Sequence, residues 1–304
     1  MTLETPALTR DHLGDDLWTL LRALPSPPIA IESLSGVGYP GYQPTAFRIA
    51  LADGRVVKAL RATSEEQAVL VHAVSSRLDA RRFAAVLARA GATLLTEWVD
   101  GPPLRESPGG DADAREAGDL LGALHQLALQ PHEQRPAAAM LGDCTARLRK
   151  HLGQLVERGG LAASERDAAL QFATAHAPAG CTVGLIHRDL CPENLARRAG
   201  GGLCVIDLET MGVGVCEYDL GRTWYRWPMP ASGRQAFHQA YTVRRDAGAF
   251  LAHAPFWILC ATATSAVLRI RKHPDGAEVP VERLRGVLQQ LHAGASPERI
   301  ALEH

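Results

Sequence analysis

The sequence predicts an α+β protein of two lobes, with a small antiparallel sheet in residues 1–98 and a larger, mainly helical lobe in residues 99–304. Short apolar, β-branched runs separated by turn residues occupy the first hundred positions, which is typical of strands. A Gly-Pro-Pro at 101–103 marks a boundary, and beyond it apolar residues recur at helical spacing. A chain of 304 residues is long enough to give each lobe its own core.

Composition argues against several classes of function. With 32 basic and 33 acidic residues, the chain gives no electrostatic reason to expect nucleic acid or an anionic membrane as a partner. The six cysteines include no C-x-x-C pair, so neither a zinc site nor a disulfide framework is indicated. The N-terminus lacks the basic and apolar regions of a signal peptide, and the apolar run 256–268 is too short to span a bilayer. We therefore expect a cytoplasmic protein in which 256–268 is a buried helix.

The first lobe begins with a helix and continues with strands. Leucines at helical spacing over 11–24 predict an amphipathic helix that packs on this lobe. Apolar runs predict five strands, at 29–34, 45–51, 55–60, 83–87 and 93–99. The dipeptide Asp53-Gly54 between the second and third is a strong hairpin signal. Ser64, with Gln67 three positions later, predicts a capped helix that runs to about residue 78.

A glycine-rich segment follows the first strand. Gly36, Gly38 and Gly41 form a G-x-G-x-x-G pattern, which dinucleotide-binding folds also carry. In those folds the pattern opens a helix, whereas a strand and a hairpin follow here. The order therefore favours a loop whose backbone covers phosphate groups, and the alternative is a plain turn between strands.

Lys58 is one of only three lysines, against 29 arginines. A lysine that remains in so arginine-rich a chain is a candidate for a place that needs a compact ammonium group. Its neighbours in V-V-K-A-L are apolar, so the side chain points either into a cleft or out to solvent.

The second lobe is predicted to be helical over 111–129, 145–158 and 164–176, with further helices starting near 232, 250 and 281. Two apolar runs, 183–186 and 203–206, interrupt it and predict a strand, a polar loop, a hairpin and a second strand. Five polar residues follow these runs: His187, Arg188, Asp189, Asn194 and Asp207. Phosphoryl transfer needs such a set, because one carboxylate positions the acceptor hydroxyl while an amide and a second carboxylate hold Mg²⁺.

The pattern H-R-D-x-x-x-x-N followed by an apolar run and Asp207 resembles the catalytic and metal loops of the protein-kinase-like superfamily. Eukaryotic protein kinases carry D-F-G at the second position, but this chain has Asp207-Leu208-Glu209 and no A-P-E after it. The D-x-E form resembles the aminoglycoside phosphotransferase and choline kinase branch. That branch usually reads H-G-D, so Arg188 is a departure toward the protein-kinase form.

The resemblance implies a bilobal protein-kinase-like fold and a role for each motif residue. Asp189 is implied as the catalytic base, with Arg188 beside it and His187 ordering the loop. Asn194 and Asp207 are implied as the ligands of Mg²⁺.

The nucleotide, ATP or GTP, is implied to bind to the first lobe. The glycine loop and Lys58 would contact its phosphates, and the strand backbone at Glu97, Trp98 and Val99 would receive its base. Kinases pair the strand lysine with a helix glutamate. Glu65 and Glu66 are the candidates, and apolar neighbours at 69, 70, 73 and 74 favour Glu66 on the buried face.

Two further residues are expected to be structural. His125 is interpreted as a packed histidine rather than a catalyst. Asp219 lies in Y-D-L-G, which resembles the D-L-A helix start of the family, and is expected to cap a helix or to contact His187 or Arg188.

The acceptor is the open question. Four residues are candidate acceptor contacts: Glu209, Trp224, Tyr225 and Trp227. Aromatic residues there are expected to stack on an acceptor or, more commonly, to be core. From Arg105 to the end the chain holds 22 acidic and 22 basic residues, so there is no acidic excess of the kind that a polycationic antibiotic needs.

Three functions remain open. The first is a kinase for a hydroxyl group of a small molecule, an antibiotic or a metabolite. The second is a Ser/Thr peptide kinase of a natural-product pathway, working with a partner enzyme. The third is a non-catalytic nucleotide-binding scaffold, which the presence of all the motif residues argues against.

Overall fold

The computed structural model describes residues 13–34, 46–106, 110–272 and 278–303, which form two compact units. Unit 1 comprises residues up to 107 together with 193–212, and unit 2 comprises 108–192 together with 213–304. The predicted α+β class, with a small antiparallel sheet and a larger helical part, is confirmed. The lobe boundary at residue 98 stays a prediction.

Unit 1 is built on a five-stranded antiparallel sheet whose order is β1-β2-β3-β5-β4. The strands are β1 (Pro28–Ser33), β2 (Ala46–Leu51), β3 (Val56–Arg61), β4 (Val86–Ala90) and β5 (Thr93–Glu97). The predicted hairpin joins β2 to β3. Leu51 N donates to Arg55 O at 2.8 Å, and Gly54 has a φ of +86°, which glycine adopts at little cost.

Helix α1 (Asp15–Ala23) covers one face of this sheet, as the leucine spacing predicted. Its buried leucines pack against inward-facing strand residues: Leu17, Leu20 and Leu21 against Ile49, Leu51, Val57, Ala59 and Leu95. Burying each such side chain stabilises the fold by about 1.5–3 kcal/mol. Because side chains alternate along a strand, the packing of Val57 and Ala59 under α1 turns Lys58 and Leu60 to the opposite face.

Helix α2 (Glu65–Ser75) begins at the predicted cap, where Ser64 Oγ accepts a hydrogen bond from the amide of Gln67 at 3.2 Å. Its buried positions are Ala68, Val71 and Val74, which recur at every third residue. The helix packs against β4 and β5 through this narrow stripe.

The later segment of unit 1 is a second, smaller hairpin. Strands β6 (Val183–Ile186), in unit 2, and β8 (Leu203–Val205), in unit 1, match the two predicted apolar runs. Strand β7 (Leu195–Arg197), in unit 1, forms the predicted hairpin with β8. Within unit 1, β7 pairs antiparallel with β8, and Gly201 and Gly202 both have a φ of +85° in the turn. Val205 bonds to the backbone of residues 82 and 84, so this hairpin is fixed in unit 1.

Unit 2 is mainly helical, as predicted. Its elements are α3 (Asp111–Gln126), α4 (Ala137–Glu157), α5 (Ala163–Ala175), β9 (Gly212–Val215, paired with β6), α6 (Cys216–Arg226), α7 (Ala231–Arg244), α8 (Gly248–Ala252), α9 (Ala254–Lys272), α10 (Glu278–His292) and α11 (Pro297–Glu303). The predicted buried helix is α9, which packs against α4, α6 and α10 and contains fully buried Phe256 and Trp257. Among the described helices, none combines the length and the apolar character that crossing a bilayer requires.

Two glycines allow helices of unit 2 to approach closely. A Cβ at Gly118 on α3 would lie 2.1 Å from the carbonyl oxygen of Phe237 on α7. A Cβ at Gly221 on α6 would lie 2.8 Å from the carbonyl oxygen of Trp257 on α9. Glycine at position 221 therefore lets the backbone of α6 lie against α9. This close contact sets the orientation of α6 and so the direction of its side chains.

A buried histidine on α7 makes the stability of the protein depend on pH. His238 stacks on Phe250, and burial, together with nearby Arg234, lowers its pKa from 6.5 to about 4. The unfolded chain takes up a proton near pH 6.5 and the folded one only near pH 4. The free energy of unfolding should therefore fall by about 1.4 kcal/mol per pH unit between these values. Chemical denaturation at pH 7 and pH 5 measures this loss.

The matched variant is His238→Leu, which has no group that titrates at this position. We expect the loss of stability between pH 7 and pH 5 to be about 2 kcal/mol smaller in this variant than in the wild type. Equal losses in the two proteins would mean that His238 does not control this dependence.

Candidate active site

Lys58 and Asp207 form an ion pair in unit 1. Lys58 lies on β3 and is only 8% exposed, and its ammonium contacts the carboxylate of Asp207 and donates to Ile206 O at 3.4 Å. Asp207 lies two residues beyond the end of β8. A lysine this buried needs an anionic partner, because desolvating an unpaired ammonium costs several kcal/mol.

Asn194 lies next to this pair along the second hairpin of unit 1. It directly precedes β7, it is buried, and its backbone oxygen accepts a hydrogen bond from Ile206 N at 3.0 Å. The β7–β8 pairing thus holds Asn194 beside the residue before Asp207. An amide oxygen and a carboxylate are hard donors of the kind that Mg²⁺ prefers, so this donor set fits that ion.

A cavity of about 380 Å³ opens beside the ion pair in unit 1. Its apolar walls include Leu34, Ala46, Leu60, Val99, Ala196 and Ile206, and its polar lining includes Lys58, Glu97, Glu193, Asp207 and Glu209. This volume and this mixture of walls are those of a site for a small molecule. The structure thus brings the predicted lysine, metal ligand and hinge residues to one cavity.

The hinge residues have their side chains engaged within the protein. The Glu97 carboxylate pairs with Arg198 and accepts a hydrogen bond from Ala85 N at 3.3 Å. The guanidinium of Arg48 lies 5.2 Å from the ring centre of Trp98. A ligand in this cavity would therefore meet chiefly the backbone of the hinge. The role of the hinge in binding a base stays a prediction.

The expectation that Glu66 lies on the buried face of α2 is wrong. Glu66 is exposed, and a hydrogen bond from Ser64 lowers the pKa of its carboxyl group. Glu65 is also exposed and pairs with Arg89 at 3.4 Å. Within the described residues, the Lys58 ammonium bonds to Ile206 and Asp207 at the end of the second hairpin of unit 1, and not to a glutamate of α2.

The physical reason is the position of the buried stripe, which follows Ala68, Val71 and Val74 and therefore passes through position 67 rather than 66. Gln67 is accordingly more buried than either glutamate, and its enclosed Nε2 atom has no hydrogen-bond partner among the residues that the structure describes. The predicted glycine loop, Gly36, Gly38 and Gly41, lies outside the described residues.

Asp189 lies in unit 2, in the loop that follows β6. Two guanidinium groups of α6 contact its Oδ1 atom, Arg222 through Nη2 at 3.0 Å and Arg226 through Nε at 2.9 Å. The amide of Asp189 donates to His187 Nδ1 at 3.3 Å, so His187 does contact the loop that it was expected to order. The two arginines lie four residues apart on one face of α6, and sequence analysis did not identify them.

Asp219 holds the backbone of this loop. It is fully buried and accepts hydrogen bonds from the amides of His187 and Arg188, both at 2.7 Å, and lies 3.0 Å from His125 Nε2. The expected contact of Asp219 with the loop is confirmed, as is the structural placement of His125, whose other ring nitrogen bonds to Tyr241.

Protonation in this buried group is strongly perturbed. Burial alone would raise the pKa of Asp219, but hydrogen bonds from His125 and the charge of nearby histidines hold it below its ordinary value. Burial likewise opposes the charging of His125, yet Cys216 and Asp219 raise the pKa of His125 well above 6.5. The group therefore favours a buried Asp⁻–His⁺ pair.

Arg188 has a φ of +70°, in the left-handed region that favours glycine. This conformation costs an arginine roughly 1 kcal/mol or more. It is maintained by the bond from its amide to Asp219 and by a bond from its guanidinium to Val213 O at 3.1 Å. Burial lowers the pKa of this guanidinium. The backbone geometry gives a physical reason for the glycine of the H-G-D form at this position.

The aromatic candidates for the acceptor site are mostly core. Trp224 and Tyr225 are 7% and 8% exposed, and Trp224 Nε1 donates to Ile300 O at 3.2 Å. The guanidinium of Arg234 covers the Trp224 ring and that of Arg283 covers the Tyr225 ring. Both residues are therefore core, which is the more common of the two expected roles, and the alternative of stacking on an acceptor is wrong because each ring is buried and has a guanidinium over it.

Two acceptor candidates remain. Trp227 is half-buried after the end of α6, and Glu209 lines the cavity of unit 1. Their contact with an acceptor stays a prediction.

A family model described as the phosphotransferase enzyme family matches residues 39–253. Solved structures resemble the chain over most of their length. A choline/ethanolamine kinase family protein from Mesorhizobium loti is 17% identical, with a TM-score of 0.60, and 93% of this chain and 97% of that one are covered. Among proteins of curated description, none matches this chain in sequence.

Two further structures are similar. Choline kinase from Streptococcus pneumoniae is 13% identical, with a TM-score of 0.60. The match covers 86% of this chain and 94% of that one. A mutant aminoglycoside phosphotransferase in ternary complex with ADP and hygromycin B is 13% identical, with a TM-score of 0.60. The match covers 90% of this chain and 96% of that one. At these identities the likeness shows the fold.

Proposed function

The chain belongs to the phosphotransferase enzyme family and is a kinase of hydroxyl groups, and we propose that it transfers the γ-phosphoryl group of ATP to a hydroxyl of a small molecule. The observation that carries this proposal is the pairing of buried Lys58 with Asp207 on the wall of a cavity of ligand size. A similar structure that contains ADP supports a nucleotide as the occupant of that cavity.

The residues of unit 1 bind and position the nucleotide. The apolar walls take the flat face of the base, and the hinge backbone at 97–99 reads its edge. Lys58 contacts the phosphates as a compact ammonium, which Asp207 holds in place until the nucleotide arrives. Asn194 and Asp207 would hold Mg²⁺, which when bound neutralises charge on the phosphates.

Asp189 takes the proton of the acceptor. A lone pair of the acceptor hydroxyl forms the new O–P bond to the γ-phosphorus, and the bond to the β–γ bridging oxygen breaks. The electron pair of that bond leaves with ADP, and the hydroxyl proton passes to the carboxylate of Asp189. Arg222 orients this carboxylate, because the same guanidinium also donates to Arg188 O at 3.0 Å and to Ser265.

Lys58→Ala tests the nucleotide site. Removing the ammonium should lower kcat/KM for MgATP at least tenfold and reduce the increase in Tm that MgADP produces, because a charged phosphate contact is lost. The fold should persist, since Asp207 is 26% exposed and can be hydrated. The rate of MgATP consumption measures this effect. The mass of the products formed from hydroxyl compounds and from Ser/Thr peptides decides between the small-molecule and the peptide acceptors.

The matched control is Lys150→Ala on the exposed side of α4, which should behave as wild type. A wild-type protein that neither binds MgADP nor consumes MgATP would refute the proposed function, and so would a Lys58→Ala variant with unchanged nucleotide kinetics.

A further inference from the structure

Arg198 lies at the tip of the second hairpin of unit 1, where the turn fixes its backbone. Arg198 N donates to Gly202 O at 3.0 Å, and Arg198 O accepts from Gly201 N at 2.9 Å. The open end of the same hairpin carries Asn194 directly before β7 and Asp207 two residues beyond β8. One hairpin thus has the proposed metal ligands at one end and Arg198 at the other.

The guanidinium of Arg198 joins separate segments of unit 1. Its Nε atom donates to Arg81 O at 3.0 Å and its Nη2 atom to Ala80 O at 2.8 Å, in the segment between α2 and β4. The Nη2 atom also contacts the carboxylate of Glu97 at the end of β5 and donates to Cys204 Sγ on β8 at 3.3 Å. A single side chain therefore connects the second hairpin to the sheet and to the hinge at 97–99.

The hinge lies between two points that are attached to this hairpin. Beyond it, Pro102 O accepts from Arg197 N of β7 at 3.4 Å. At its start, Glu97 Oε1 accepts from Arg198 and also from Ala85 N at 3.3 Å. The first attachment is made by backbone, which every sequence provides, whereas the second depends on the side chain of Arg198.

A nucleotide gains the contacts of its base and of its phosphates together only if both parts of the site are held at the matching separation. We propose that Arg198 is a positioning residue of the nucleotide site, which anchors Glu97 to the hairpin that carries Asn194 and Asp207 and so fixes where the hinge meets the base; this rests on the proposed function. Residues 82 and 84 bond to Val205 through backbone alone, so the hairpin keeps its place without this side chain. Loss of Arg198 therefore releases the base end of the site and leaves the phosphate end.

Three ligands separate the two ends of the site. Adenosine probes the base end, magnesium pyrophosphate probes the phosphate end, and MgADP spans both. Arg198→Met keeps the apolar stem of the side chain and removes the guanidinium. Calorimetry should show adenosine and MgADP bound about fivefold to tenfold more weakly by this variant, because a preorganised contact is lost, and magnesium pyrophosphate bound as by the wild type.

The kinetic counterpart is a rise in the KM for MgATP by the same factor with little change in kcat, since the base contact is equal in the ground and transition states. Equal weakening of adenosine and magnesium pyrophosphate would show that Arg198 only stabilises unit 1 as a whole. Unchanged binding of adenosine would show that the hinge needs no anchor. Either result overturns the proposal.

Arg198→Lys should recover part of the loss, because an ammonium can still pair with Glu97 but lacks the fork that reaches both segments. Arg55→Met is the matched control. Arg55 also lies beside a hairpin turn of unit 1 and pairs with a carboxylate, that of Asp53 at 2.8 Å, but it is exposed. Its loss should leave all three affinities unchanged.

Glu97→Gln tests the same contact from the other partner and serves if Arg198→Met cannot be purified folded. The amide keeps the shape of the side chain but loses the charge, so adenosine should bind about threefold more weakly and magnesium pyrophosphate as before. Wild-type adenosine binding in this variant also overturns the proposal. A wild-type protein that does not bind MgADP would refute the proposed function, whereas bound MgADP with no selective loss of adenosine in the variants would refute only this inference.

Discussion

Asp207→Asn should abolish phosphoryl transfer and leave the protein folded. The carboxylate is the partner of Lys58 and the anionic member of the oxygen donor set with Asn194, and the amide keeps its shape but loses its charge. Loss of charge stabilisation at such a centre costs at least about 10²–10³-fold in kcat. The measurement is the Mg²⁺-dependent rate of ADP release with a hydroxyl acceptor, beside thermal unfolding without nucleotide.

The fold should survive because the substituted side chain is 26% exposed and its amide oxygen still accepts a hydrogen bond from Lys58. Asp100→Asn is the control, since Asp100 is exposed three residues beyond β5. A variant at position 207 that keeps activity within a few-fold of the wild type would show that Asp207 does not hold the metal.

The elements that follow from local pattern could be predicted from the sequence. The strands, the hairpin at Asp53-Gly54 and the Ser64 cap depend on alternation and on turn residues, which are visible within a few positions. Helix α4 shows the limit of this approach. It begins at Ala137, eight residues before the predicted start at 145, and its first two turns are half-buried at Ala137, Met140 and Leu141. Gly142 and Asp143, which are poor helix formers, interrupt the sequence just before 145 and hid this start.

The sequence predicted contacts within the site only for residues that belong to a recognisable motif. Asp219 could be placed against the loop because its own motif indicated that role. Glu66 could not be placed, since the choice between adjacent helix positions depends on which side of α2 packs on the sheet. Arg222 and Arg226 are among 29 arginines, and only the packing of α6 on α9 selects these two to face Asp189.

Asp219→Ala should lower the free energy of unfolding by about 3–5 kcal/mol, because it removes one partner of a buried, hydrogen-bonded pair together with the acceptor of two loop amides. His125, with no exposed surface, would lose its anionic partner, and the amides of His187 and Arg188 would lose their acceptor. Activity should fall as well, since these two amides fix the residues just before Asp189. Chemical denaturation and the rate of phosphoryl transfer measure the two effects.

Asp119→Ala is the matched control, since Asp119 pairs with Arg244 at the surface of α3 and its loss should change little. If Asp219→Ala cannot be purified folded, Tyr241→Phe removes a single bond to His125 and should cost about 1 kcal/mol. In the Asp219→Ala background, Arg188→Gly should recover about 1 kcal/mol, because glycine adopts a φ of +70° without the bond that held the arginine there. If the free energy of unfolding of Asp219→Ala is within 1 kcal/mol of the wild-type value, other contacts hold the loop. Arg188→Gly would then give no gain in stability in that background.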